Sequence, residues 1–132
     1  AENSKPMHFV SSDGFDIYVG RNNTQNDYLT LKLANSSDLW FHTKDIHGSH
    51  TVIKLGLDKD VPKTTILEAA ALAAYYSKAR ESSQVPVDYT QIKNVKKPNG
   101  AKPGMVIYEQ YNTVYIKPNQ GLLHLAQTVS KA

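Results

Sequence analysis

The chain has 132 residues, 40% hydrophobic and 20% charged, with a net charge of +3 and no cysteine. That length suits one domain with a real core, and the missing cysteines exclude disulfide scaffolds and thiolate metal sites. The charge is uneven: residues 1–60 carry six Lys/Arg against eight Asp/Glu and residues 61–132 nine against four, so the second half suits an anionic partner.

No apolar run approaches the roughly 18 residues that cross a bilayer, and the start, Ala1 to Pro6, lacks an apolar signal core. The first residue is not Met, which fits a piece excised from a longer protein. Residues 1–7 read as a disordered or cloning-derived N-terminus, 8–117 as the domain and 118–132 as an accessory segment or tail.

His8–Ser11 and Asp16–Val19 flank Asp13-Gly14, a short turn signal that predicts a β-hairpin. Gly20 breaks the second strand, and Asn22 or Asn23 is placed to cap a helix from about Thr24. Tyr28–Leu33 fits helix through Leu29 and Leu33 and strand through its alternating leucines; helix is preferred. Leu39–Thr43 and Thr51–Leu55 read as strands around a tight turn at His47-Gly48. Thr65 with Glu68 has capping-box spacing, so one long Ala-rich helix is expected from Ile66 to about Arg80, apolar on almost every side. Lys78 and Arg80 suit its negative end. Val87–Val95, Met105–Glu109 and Thr113–Lys117 read as further strands, separated by a Pro/Gly loop. The expected class is α+β: a single domain with a largely antiparallel sheet packed against that helix.

Three stretches carry candidate chemistry. In Gly20-Arg21-Asn22-Asn23, with Asn26 and Asp27 behind, a helix start and a guanidinium fork suit phosphate, and asparagines suit base edges or sugar hydroxyls. An ordinary strand-to-helix corner explains the same residues. In the second, Asp38-Leu39-Trp40-Phe41-His42 is followed by Asp45, His47, Gly48, Ser49 and His50. Trp40 or His42 could stack on an unpaired base, or the histidines could be hydrogen-bonded around a buried Trp40. As an enzyme, Asp38, His42, Asp45, His47 and His50 would form a metal or acid–base centre. The His-x4-His-x2-His spacing matches no zinc pattern, and Ser49 lacks a nucleophile elbow. The third stretch, Tyr89 to Gly104, holds Lys93, Lys96, Lys97 and Lys102 on a Pro/Gly-stiffened loop, either a phosphate contact or a solubilising surface.

In order and spacing, from about residue 8 to 117, Gly20-Arg21-Asn22-Asn23-x-x-Asn26-Asp27, Asp38-x-Trp40-Phe41-His42, Gly48-Ser49-His50, Val95-Lys96-Lys97-Pro98 and Lys102-Pro103-Gly104 resemble the NFACT-R domain of the bacterial RqcH / fibronectin-binding protein A family. The family usually has Pro where this chain has His47. The resemblance implies an RNA-binding module, not an enzyme, with no metal or cofactor, in a longer cytoplasmic protein that also carries an NFACT-N domain, a helix-hairpin-helix segment and a coiled coil. It implies ribosome-associated quality control, with tRNA and the large ribosomal subunit as partners and alanine added to stalled chains. The other domains of the chain are further expected partners. The alternative is a protein-interaction or adhesion module docking on ribosomal protein or, through the family's older naming, on fibronectin, which nothing in these residues supports or excludes. Arg21, Asn22, Asn23, Asn26, Asp27, Trp40, His42, Ser49, His50, Lys93, Lys96, Lys97 and Lys102 are the expected RNA-binding residues.

Overall fold

A computed structural model describes residues 4–57 and 60–118. The proposed tail, apart from Pro118, lies outside these residues. Strands β1 (Met7–Val10), β2 (Asp16–Val19), β3 (Leu39–Thr43), β4 (Thr51–Lys54), β5 (Val85–Gln91), β6 (Val95–Lys96), β7 (Ile107–Tyr108) and β8 (Asn112–Ile116) accompany helices α1 (Asn23–Tyr28) and α2 (Lys63–Tyr75). A six-stranded antiparallel sheet runs in the order β1-β2-β4-β3-β5-β8, while β6 and β7 pair separately. The fold is a single mixed α/β domain.

Strand alternation sorts the side chains onto two faces. Ile17, Val19, Phe41, Ile53, Val85 and Val87 form the main core with the alanines of α2. Small side chains let α2 lie close to β2, β3, β4, β5 and β8. On the other face Trp40 and Val52 pack with Leu29, Val95 and partly buried Tyr18 and Tyr108. This second, smaller core supports the candidate site.

The hairpin and the α1 cap match expectation. Asn22 accepts the Gln25 N–H at 2.9 Å, and Leu29–Leu33 continues α1 as one wide π-type turn. β1 starts at Met7, inside the segment read as a disordered N-terminus. The long helix is a correction: both helices are short, and α2 begins at Lys63, capped by Pro62 without a side-chain bond. Thr65 and Glu68 therefore lie inside the helix and reach across to the hairpin. The Thr65 hydroxyl donates to Asp13 at 2.7 Å, and Ser12 N–H donates to Glu68 at 2.9 Å. The far end stops at Tyr75, short of Arg80, because Ser77 Oγ caps the Ala74 carbonyl at 2.7 Å and accepts Ala79 N–H at 3.1 Å. The strand expected over Val87–Val95 breaks after Gln91, where Ile92 and Lys93 N–H turn to the Asp38 and Ser36 carbonyls.

Candidate nucleic-acid interface

The turn between β3 and β4 is clamped to the chain leaving α2. Ser49 N–H donates to the Tyr76 carbonyl and Lys78 N–H to the His47 carbonyl, both at 3.0 Å. Gly48 permits this approach, since a Cβ there would lie 2.7 Å from the Ser77 Cβ. Gly20 is equally constrained: its Cβ would meet the Asn26 side-chain oxygen at 2.0 Å. That oxygen accepts His50 N–H at 3.0 Å, while Gly20 N–H donates to the His50 carbonyl at 3.0 Å. The arginine–asparagine corner is thereby locked to the start of β4.

Two adjoining cavities result. The first, about 630 Å³, lies between the corner and the α2 exit, lined by Arg21, Asn22, Asn23, Ser49, Lys78 and Arg80 among others. Among the described residues no carboxylate lines it. Arg80 sits over Tyr75, its guanidinium carbon 3.7 Å from the ring centre. The charges of Arg80 and Arg21 both act on the Tyr76 hydroxyl, pulling its pKa down against the larger upward push of burial. Arg21 is exposed, and its Nε donates to the Lys5 carbonyl at 2.8 Å.

The second cavity, about 550 Å³, shares Asn23, His47 and Gly48 with the first and adds His42, Asp45, Lys102, Met105 and Tyr108 over a Trp40 floor. His42 stacks on Trp40 with rings 5.8 Å apart and 7° from parallel. Burial pushes the His42 pKa down, against the carbonyls of Thr43 and Gly48. Tyr108 tilts against Trp40 at 4.8 Å and donates its hydroxyl to Asp88, a carboxylate that also takes Thr113 and Lys44. Burial and that carboxylate push the Tyr108 pKa up.

A hydrogen-bond relay ties the cavity walls. Trp40 Nε1–H can only donate, so Thr30 Oγ1 accepts it at 3.1 Å and gives its own proton to His50 Nδ1 at 2.7 Å. His50 Nε2–H then donates to the Gly104 carbonyl at 3.1 Å. This pattern needs neutral His50, and burial pushes its pKa down to about 3. Gly104 N–H donates to Asp27 at 2.9 Å, and Lys97 reaches the same carboxylate at 3.4 Å.

Several expected contact residues therefore build the site from behind. Trp40 is 0% exposed, His50 1% and Asn26 3%. Stacking of a base directly on Trp40 is thus corrected: it is the floor under His42. Asp27 holds the 97–105 loop, and Lys97 is bound to Asp27 and to the Lys102 carbonyl, so neither is a free phosphate contact. Lys93 lies beside Ser36, at the opposite end of β3 from His42. Lys96 lines a separate small hollow with Glu109. Of the four lysines only Lys102 joins the cavities. Conversely, Lys78, Arg80 and Tyr75 were missed as site residues; their signal was Ser77, a cap that ends the helix early. No group of three His, Asp or Glu among the described residues is arranged to hold a metal. Asp38, a candidate in the metal or acid–base alternative, binds Lys54 and the amides of Asn35 and Leu55. No helix among the described residues is long and apolar enough to cross a membrane.

Residues 5–110 match the family described as the NFACT protein RNA binding domain. The chain is 54% identical over 111 residues to the Rqc2 homolog RqcH of Bacillus subtilis, covering 84% of this chain and 19% of that protein. Against RqcH of Streptococcus suis it is 49% identical over 118 residues, 88% of this chain and 21% of the relative. It thus spans about one fifth of these relatives' length. The human ribosome quality control complex subunit NEMF is 33% identical over 76 residues, 57% of this chain and 7% of that one. A solved structure, the C-terminal part of the fibronectin/fibrinogen-binding protein of Streptococcus suis, superposes with a TM-score of 0.84 at 45% identity, covering 90% of this chain and 47% of that one. With four-fifths of its length matched and the glycine-locked corner, turn and loop joined into one surface, this chain belongs to the NFACT RNA-binding domain family.

Proposed function

We propose that this domain is the RNA-gripping module of a ribosome quality-control factor, holding tRNA or large-subunit RNA while alanine is added to a stalled chain. It does no chemistry itself and works in the cytoplasm beside the other domains of its longer chain. The names of its relatives, which are ribosome quality-control proteins, support the setting. One observation carries the binding mode: Arg21, Lys78 and Arg80 line a single open cleft with asparagines and, among the described residues, no carboxylate. Guanidinium forks and an ammonium there suit consecutive phosphates, and Asn22 and Asn23 suit ribose hydroxyls.

The three cations of the cleft, as about three phosphate contacts, give a log–log salt slope of roughly −2.1 on single strands, at about −0.7 each. Filter binding of this domain at several salt concentrations measures it. Arg21→Ala should weaken binding several-fold with an unchanged melting curve, since among the described residues its exposed side chain bonds the Lys5 carbonyl alone. Salt-independent or absent binding would defeat the proposal.

A second reading is a protein-docking module. Met105 and Ile107, each 60% exposed, and Tyr115, 64% exposed, favour it. The solved relative is named a fibronectin/fibrinogen-binding protein, which makes fibronectin the partner to test. Pull-down with fibronectin that survives nuclease treatment would support this reading over the first.

A further inference from the structure

The second cavity differs in chemistry from the cationic cleft beside it. Its rim carries Asp45 as well as Lys102, and its walls are the rings of His42 and Tyr108 and the thioether of Met105. We propose that this cavity receives one unpaired nucleobase, preferentially one with an exocyclic amino group, flipped off an RNA strand whose backbone runs through the neighbouring cleft. This rests on the RNA-binding reading and says which part of the RNA enters.

The geometry argues for a base and against a further phosphate. His42 is already one layer of a parallel stack on Trp40, and a base laid on His42 adds the next layer. Such stacking accepts any π-face and strengthens single-strand binding. Burial keeps the imidazole neutral near pH 7, so it is a platform and not a phosphate ligand. Tyr108 closes one side, its hydroxyl committed to Asp88, and Met105, 60% exposed, supplies a polarizable lid edge. A phosphate here would face the Asp45 carboxylate, whereas an amino group donates to it. The volume of about 550 Å³ falls in the range of sites that hold small molecules, roughly 300–1,000 Å³. Because Asn23, His47 and Gly48 line both cavities, a nucleotide with its phosphate in the cleft has its base one step from the pocket.

Trp40 is the sole tryptophan of the chain, so tryptophan fluorescence reports on the floor of this cavity and the small core behind it. The test titrates the domain with a short oligocytidine RNA, oligouridine of equal length, and an abasic ribose-phosphate strand of that length. Insertion predicts that oligocytidine quenches Trp40 and binds about fivefold or more tightly than the abasic strand. Asp45→Asn, at an exposed position whose φ of 54° suits asparagine, should erase the preference for cytidine over uridine. Met105→Ala should narrow the gap between oligocytidine and the abasic strand. Both substitutions are exposed, and an unchanged melting curve shows that the fold is intact. Equal binding of oligocytidine and abasic strands with unquenched Trp40 overturns base insertion and leaves the backbone-binding reading standing. If no strand binds at low salt, the RNA-binding reading itself falls, and this proposal with it.

Discussion

His50 shows how one side chain can be functional by position without touching a ligand. It is 1% exposed, takes the Thr30 hydroxyl proton on Nδ1 and gives its own to Gly104, so only the neutral ring satisfies every partner. Protonation would set two donors against each other across the Thr30 contact. The unfolded chain titrates this ring near 6.5 and the fold near 3, so between those values the unfolded state binds more protons. Stability is whole above pH 6.5 and is lost as pH falls toward 3, by at most about 1.4 kcal/mol per unit. His42 shifts in the same direction, again chiefly by burial. Thermal unfolding from pH 7 to pH 4.5 should therefore show a falling melting temperature. His50→Gln should be less stable at pH 7 but flatter across that range. An equally steep fall in the variant would place the acid sensitivity elsewhere.

At the scale of elements, the junction between the 47–49 turn and the end of α2 makes the cationic cleft. Gly48→Ala would place a methyl 2.7 Å from Ser77 Cβ and 3.1 Å from Thr43 Oγ1, both in packed surroundings. The turn must then lift off the helix exit, at about 1–3 kcal/mol, and RNA affinity should fall with stability. Adding Ser77→Gly removes the clashing atom and should restore part of the loss, a non-additivity that urea denaturation of the single and double variants measures. This junction also marks where the sequence stops being legible. Asn22 as a cap, the Asp13-Gly14 hairpin and the strand positions could be read because their causes are local. Thr65 and Glu68 have capping-box spacing, but their partners are Ser11, Ser12 and Asp13, some fifty residues away. The α2 terminus depends likewise on Ser77 meeting Gly48. Side chains that bond across the fold leave no periodic trace.

Over the whole molecule, the distribution of paired and unpaired lysines matters more than the net charge of +3. Buried Asp38 and Asp88 and half-buried Asp27 each hold a lysine, respectively Lys54, Lys44 and Lys97. Those cations stiffen the sheet face opposite α2. Lys93 and Lys96 stay exposed, away from both cavities. On the proposed reading, a strand of RNA meets concentrated positive charge where Arg21, Lys78 and Arg80 line one cleft, beside the bend into the second cavity. If charge density governs binding, Lys93→Ala/Lys96→Ala and Lys78→Ala/Arg80→Ala remove the same formal charge with unequal effect. The first pair should leave the salt slope within error, by contributing only to a screened long-range field. The second should make it shallower by about 1.4, two contacts at roughly 0.7 each, and weaken binding at every salt concentration. Equal effects from both pairs would mean that the RNA samples the basic surface diffusely, and the cleft would lose its claim to be the binding groove.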